Sequence, residues 1–176
     1  MGGLRLGHVA KGVTYDADNK IISCLFCNFA RRTDAKPLLF EDDHCVAFLP
    51  LDIAAEQHIL VVPKTHIKTV NDLRTEDASL AAHMRQVATA TLTQQAAAQA
   101  RTLDPRDIRL TYHAPPFNSI DHLHLHAFEM PFAKNPLLSI KYAPWALWCK
   151  QHEDVERRLT AAAAVAAEAA APFPEP

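Results

Sequence analysis

Apolar and polar positions alternate most strictly in His122-Leu123-His124-Leu125-His126, which predicts a strand from His122 to Glu129. Successive strand side chains point to opposite faces, so Leu123, Leu125 and Ala127 fall on a core face and the three imidazoles on the other. Short apolar runs predict its partners. Leu38-Leu39-Phe40 and Cys45-Val46-Ala47-Phe48 flank the polar turn Glu41-Asp42-Asp43-His44. His58 to Val62 is stopped by Pro63, and Ile108 to His113 is interrupted by Pro115-Pro116. Between these runs the period changes. Thr75-Glu76-Asp77 reads as a helix start, and Leu80, Met84, Val87 and Thr91 recur at helical spacing, so a long helix is predicted from Thr75 to Ala100, with Asp104-Pro105 closing the connection.

Residues 1–20 show no sustained period and read as a flexible arm; residues 21–150 read as the domain. Residues 151–176 read as an Ala-rich helical extension with a weak apolar face, ending in a tail marked by Pro172, Pro174 and Pro176. Several antiparallel-compatible strands around one long helix define an α+β class.

Composition narrows the setting. The 176 residues suit one domain with a real core plus tails. A net charge of -2 provides no global basic field, so neither nucleic acid nor an anionic membrane is the expected partner. No apolar run approaches the length of a membrane span, no hydrophobic signal segment is evident, and Leu6 stands where a myristoylation motif needs Ser or Thr. Cys24, Cys27, Cys45 and Cys149 are too sparse for a disulfide scaffold, so a cytoplasmic or nuclear setting is expected.

Four elements carry candidate chemistry. The triple histidine admits a surface metal-scavenging patch, a catalytic metal centre or nucleophilic catalysis. Side chains at i and i+2 lie ~7 Å apart along a strand, so three from one straight strand do not converge easily on one ion. Two of the three could still join such a site; the third reading is a nucleophilic imidazole whose neighbours bind the oxygens of the electrophile and manage protons. The loop before it, Pro115 to Asp121, offers Asn118 and Ser119 as donors, either a plain turn or a cradle for phosphate oxygens. Cys24-Leu25-Phe26-Cys27 reads as half a zinc site, a redox pair or two buried thiols, with His66 and the His122 cluster available as further ligands. His58 and His66 bracket an apolar strand, where either is more often structural than functional.

Together these residues resemble the histidine triad superfamily. His122-Leu123-His124-Leu125-His126-Ala127-Phe128 matches its His-φ-His-φ-His-φ-φ signature. The resemblance extends over residues 21–130, including Cys24-x-x-Cys27, Phe40 to Asp43, Ala47-Phe48 and Leu60 to His66. The run from Pro115 to His126 is similar to the histidine triad nucleotide-binding protein 3 branch in particular.

The resemblance implies hydrolase or transferase chemistry at a nucleotide α-phosphate, commonly adenosine 5'-monophosphoramidase activity, on a five-stranded antiparallel sheet usually paired into a homodimer. It implies His124 as nucleophile, His126 as the phosphate-contacting triad member and His58 as the additional histidine. It puts Asn118 and Ser119 in the phosphate loop, and Phe26, Phe48 and Leu60 around the base of a purine nucleotide of the AMP type. Zinc-bearing relatives imply structural zinc on Cys24, Cys27, His66 and His122, with no catalytic metal. One departure stands out. Relatives hold the ribose with an Asp eight residues before the His58 equivalent, where this chain has Pro50; Asp52, two residues on, is the expected substitute. Same-superfamily alternatives are a dinucleoside polyphosphate hydrolase and an aprataxin-like deadenylase, the latter disfavoured by the lack of a basic zinc-finger extension. A non-catalytic nucleotide-binding or adaptor protein is the alternative of another class.

Overall fold

A computed structural model describes residues 6–132 and 136–169. The first three strands, β1 (Leu6–Ala10), β2 (Val13–Asp16) and β3 (Ile21–Cys24), form an antiparallel meander. Residues 1–5 lie outside the described residues; for residues 6–16 this corrects the expectation of a loose arm over residues 1–20. The period-2 signal there is confined to Val13 and Tyr15, which are buried, and two apolar positions are too few to announce a strand. Lys11 (φ 45°) and Gly12 (φ 69°) make the two-residue turn between Ala10 and Val13, with both central residues in the left-handed region as a tight hairpin requires.

Cys24 ends β3 and begins a short helix, α1 (Leu25–Ala30). The main sheet follows: β4 (Phe40–Glu41), β5 (Cys45–Phe48), β6 (Ala55–Pro63), β7 (Ile108–His113), β8 (Leu125–Phe132) and β9 (Cys149–Gln151), in spatial order β4-β5-β6-β8-β7-β9. All its pairings are antiparallel. The α+β class therefore stands, with more strands than the five expected. The extra ones are short: β9 has three residues, below the length at which alternation can be read.

The long helix α2 (Ala78–Ala98) enters through a turn of 3-10 helix at Thr75–Asp77, as its start signal predicts. It buries Ala81, Met84, Val87, Ala88, Leu92 and Ala96, positions three and four apart. Two more helices follow, α3 (Pro136–Lys141) and α4 (His152–Ala169); the proline tail expected after α4 lies outside the described residues. None of the described helices is long and apolar enough to cross a membrane.

The main sheet is buried on both faces, which explains why β6 reads as an unbroken apolar run. Cys45, Ala47, Ile59, Val61, Leu123, Leu125 and Ala127 pack toward α2 and α4. Val46, Phe48, Leu60 and Val62 pack the other way, against Val13, Tyr15, Phe26 and Cys27. The register sets His126 opposite Leu60 on one side and Thr111 on the other, with His58 opposite Phe128. His58, His113 and His126 thereby share the face turned away from α2, because residues two apart on a strand lie on one side.

Candidate active site

The alternation around the triple histidine is borne out only in part. Leu123, Leu125 and Ala127 enter the core as expected, but the ladder starts at Leu125, so His122 and His124 lie in an extended lead-in. A lead-in free of ladder bonds can aim its side chains independently. His122 turns to the cysteines; His124 and His126 line a cavity.

His124 is buried, and its Nδ1 lies 2.7 Å from the carbonyl oxygen of His122. A carbonyl can only accept, so Nδ1 carries the proton and Nε2 keeps its lone pair. Burial pushes its pKa down to about 4, so the ring is neutral at physiological pH. The Phe26 ring meets it edge-on, with centroids 5.4 Å apart.

His126 Nδ1 lies 3.0 Å from His58 Nε2, while His126 Nε2 is buried without a partner. His58 Nδ1 sits between the carbonyl of Asp52 (3.2 Å) and the N–H of Ala54 (3.4 Å). Two proton placements satisfy this pair. With the proton of His58 on Nδ1, donated to Asp52, His126 donates from Nδ1 and its Nε2 is an acceptor. With Nδ1 of His58 accepting from Ala54, both Nε2 atoms carry protons and His126 becomes a donor toward the cavity. Burial pushes His58 down to about 3 and His126 well below the ordinary imidazole range.

Two neighbours escaped the sequence reading. His113, at the end of β7, brings its ring to 4.8 Å from that of His126 and donates from Nε2 to the carbonyl of Lys141 (3.2 Å). Burial pushes it to about 4. Tyr142 stacks on His113 at 4.8 Å and closes on His126, His58 and Phe128. Thr111-Tyr112-His113 carries no signal beyond a strand end, and Tyr142 follows a segment without sustained periodicity, so only the sheet order brings them here.

The cavity, about 450 Å³, falls within the usual span of small-molecule sites. Phe26, Phe29, Phe48 and Leu60 form an aromatic and aliphatic wall, with Phe48 edge-on to Phe26 at 5.4 Å and to Phe29 at 5.3 Å. The three residues expected around a base, Phe26, Phe48 and Leu60, are thus together. Asp52 stands at the rim with Pro50, and Asp34 and Lys36 join them, the Lys36 ammonium 5.6 Å from the centre of the Phe48 ring.

Ser119 lines the cavity but Asn118 does not. The buried Asn118 amide donates to the Ile120 carbonyl (3.1 Å) and to Asp121 Oδ1 (2.8 Å), and its Oδ1 accepts from Lys11 Nζ (2.6 Å). The polar atoms of the Asn118 side chain are thus engaged in bracing the loop.

Beside the cavity, Cys24, Cys27, His66 and His122 place one donor atom each within 4.8 Å of the others. Cys24 stands just before α1 and Cys27 in its first turn, so the chain folds both thiols to one side. His122 Nδ1 lies 3.3 Å from Cys24 Sγ and 3.5 Å from Cys27 Sγ, and His66 Nδ1 lies 3.4 Å from Cys27 Sγ. Tetrahedral zinc with ordinary Zn–S and Zn–N bonds requires S···N edges of roughly 3.5 Å. His122 Nε2 donates to the Pro63 carbonyl at 3.0 Å, which leaves Nδ1 as a lone pair facing the thiols. The neighbouring Cys27 thiol holds Cys24 well below the ordinary thiol range, and the neighbouring Cys24 pushes Cys27 up. These residues fit a zinc ion.

A family profile described as scavenger mRNA decapping enzyme C-term binding matches residues 23–140. The chain is 44% identical over 113 residues to an Arabidopsis thaliana protein named bifunctional adenosine 5'-phosphosulfate phosphorylase/adenylylsulfatase HINT4, covering 62% of this chain and 72% of that one. It is 40% identical over 106 residues to adenosine 5'-monophosphoramidase HINT3 of Xenopus tropicalis, covering 60% and 66%. The solved structure of a histidine triad protein from Clostridium difficile superposes with a TM-score of 0.55 at 25% identity, covering 65% of this chain and 96% of the other.

Proposed function

This chain belongs to the histidine triad superfamily, close to its nucleotide-binding protein 3 branch, and on that premise we propose that it hydrolyses nucleotides at the α-phosphate, with adenosine 5'-monophosphoramidates as substrates. The observation that carries the reading is the hydrogen bond from His124 Nδ1 to the carbonyl of His122. It leaves Nε2 as an unprotonated nucleophile beside an aromatic cavity of nucleotide size.

The base enters between Phe26, Phe48 and Leu60, and the ribose lies toward Asp52. His124 Nε2 attacks the α-phosphorus and forms a P–N bond. The bond to the leaving nitrogen breaks, its electron pair stays on that nitrogen, and the amine departs with a proton taken from water at the cavity mouth. Water then attacks phosphorus, the P–Nε2 bond breaks, the pair returns to His124, and AMP leaves with the displaced proton released to solvent. His126 serves the phosphoryl oxygens through Nε2. An anionic oxygen favours the proton placement in which His58 donates to His126 and His126 donates to the ligand. Each such donor supplies about 2.7–4 kcal/mol of transition-state stabilisation.

Zinc is part of the proposal as a structural ion on Cys24, Cys27, His66 and His122. It would tie the β3–α1 junction to the lead-in of β8 and hold the His122 carbonyl that orients His124. It supplies no chemical step. The reading also takes the protein to be a homodimer working in the cytoplasm or nucleus.

The Arabidopsis relative's name includes adenosine 5'-phosphosulfate, in which sulfate replaces the amine as leaving group. Sulfate leaves without a proton, so the same nucleophile suffices. A panel of AMP-morpholidate, adenosine 5'-phosphosulfate and a dinucleoside polyphosphate separates these substrates. Mass spectrometry of alkali-quenched reactions is expected to find one adenylyl group on the peptide bearing His124. His124→Ala should lose on the order of 10³-fold or more in kcat while binding AMP within about threefold. Binding of AMP with no turnover of any panel member leaves the non-catalytic alternative. Retained turnover in His124→Ala refutes the nucleophile.

A further inference from the structure

The N-terminal hairpin grips the loop that carries Ser119. Its turn is Lys11-Gly12, and the family profile begins only at residue 23, so nothing in the match accounts for it. Lys11 Nζ donates to the Pro116 carbonyl (2.9 Å) and to Asn118 Oδ1 (2.6 Å). The N–H of Asp121 returns a bond to the Lys11 carbonyl at 2.9 Å. These contacts seize the loop on both sides of Ser119. The turn also lies against it: a β-carbon at Gly12 would come within 2.6 Å of Ile120 Cδ1, the movable end of that side chain, and the φ of 69° at Gly12 favours glycine. Ile120 and Ser119 both line the cavity beside His124 and His126, whereas Lys11 stands behind that wall.

We propose that Lys11 is a positioning residue: through Pro116 and the buried Asn118 it fixes the Ser119 loop at the distance from His124 that a nucleotide phosphate requires. The inference rests on the reading that this loop faces the phosphate. An ammonium suits the task because it offers three donors to two acceptors and to solvent, and charge-assisted hydrogen bonds are the strong ones. Asn118 is also tied to Ile120 and Asp121, so a shift at Lys11 reaches every residue between them.

Calorimetric titration with AMP and with adenosine isolates the phosphate contribution without requiring turnover. In Lys11→Met, AMP affinity should fall about tenfold while adenosine affinity is unchanged. The kcat on AMP-morpholidate should fall by ~10- to 100-fold, the scale of an ångström-level misplacement. Lys11→Arg, whose N–H groups reach the same two acceptors, should restore both values, and Lys20→Met in the β2–β3 connection should change neither. If Lys11→Met fails to fold, Lys11→Gln, which keeps an uncharged NH2 donor group, carries the same comparison. Equal loss of AMP and adenosine binding with a lowered melting temperature assigns Lys11 a purely structural role and overturns the inference, as does an unchanged AMP-to-adenosine ratio with unchanged kcat. Wild-type protein that prefers AMP to adenosine yet turns over no substrate overturns the catalytic reading but leaves the affinity ratio to decide Lys11. Wild-type protein without that preference refutes both.

Discussion

Acid should unfold this protein before it protonates the site. His58, His113 and His124 have native pKa values of about 3, 4 and 4, all lowered chiefly by burial, against 6.5 in an exposed chain. Below pH 6.5 the unfolded chain binds protons that the native state refuses, so stability is complete above 6.5 and is lost as pH falls toward the native values. Between pH 7.5 and 5.5 each of these imidazoles removes about 1.4 kcal/mol, or about 4 kcal/mol for the three together. His126, shifted in the same direction, adds to the loss. Small domains hold only about 5–15 kcal/mol in total. Urea melts of the zinc-saturated protein at pH 7.5, 6.5 and 5.5 measure the slope. His113→Phe should remove its own ~1.4 kcal/mol share of the pH dependence. The kcat/KM of the folded fraction should stay level to pH 5, because His124, the proposed nucleophile, remains neutral there. A stability that is flat across this interval, or an activity that titrates near 6.5 in fully folded protein, refutes the claim that these rings are held neutral by burial.

Two further outcomes follow from the packing. Elemental analysis should find one zinc per chain, and a chelator or His66→Ala should remove it with a clear drop in melting temperature, since the ligands come from segments far apart in sequence; a metal-free protein of unchanged melting temperature would count against the ion. Phe48→Ala, at a position buried between Phe26 and Phe29, should cost about 3–5 kcal/mol of stability in denaturant melts and raise KM with less effect on kcat, because it removes wall area and leaves the imidazoles in place. A fall in kcat alone would contradict its place in base binding.

Local patterns were legible wherever one residue's neighbours along the chain set its environment. The α2 spacing of Met84 and Val87, the alternation of Leu123, Leu125 and Ala127, and the apolar run of β6 each translate into burial because helix and strand periods are properties of the backbone. Cys24 and Cys27 were legible as a pair for the same reason, four residues being enough to place two thiols on one side of a helix start. The N-terminal meander was not, since Val13 and Tyr15 are the buried positions of its first two strands and two are too few to read as a period.

What the sequence determined by itself is thus the α+β class, the core faces and the presence of three alternating histidines next to a donor-bearing loop. Tertiary structure alone decided which donor meets which acceptor. It parted His122 from His124 and His126, turned Asn118 into a brace, brought His113 and Tyr142 against the triad, and seated Lys11 behind Ser119. The physical reason is one of range: a hydrogen bond needs its partners within about 3 Å, and between residues a hundred positions apart that distance is set by strand order and sheet register, which no local period encodes.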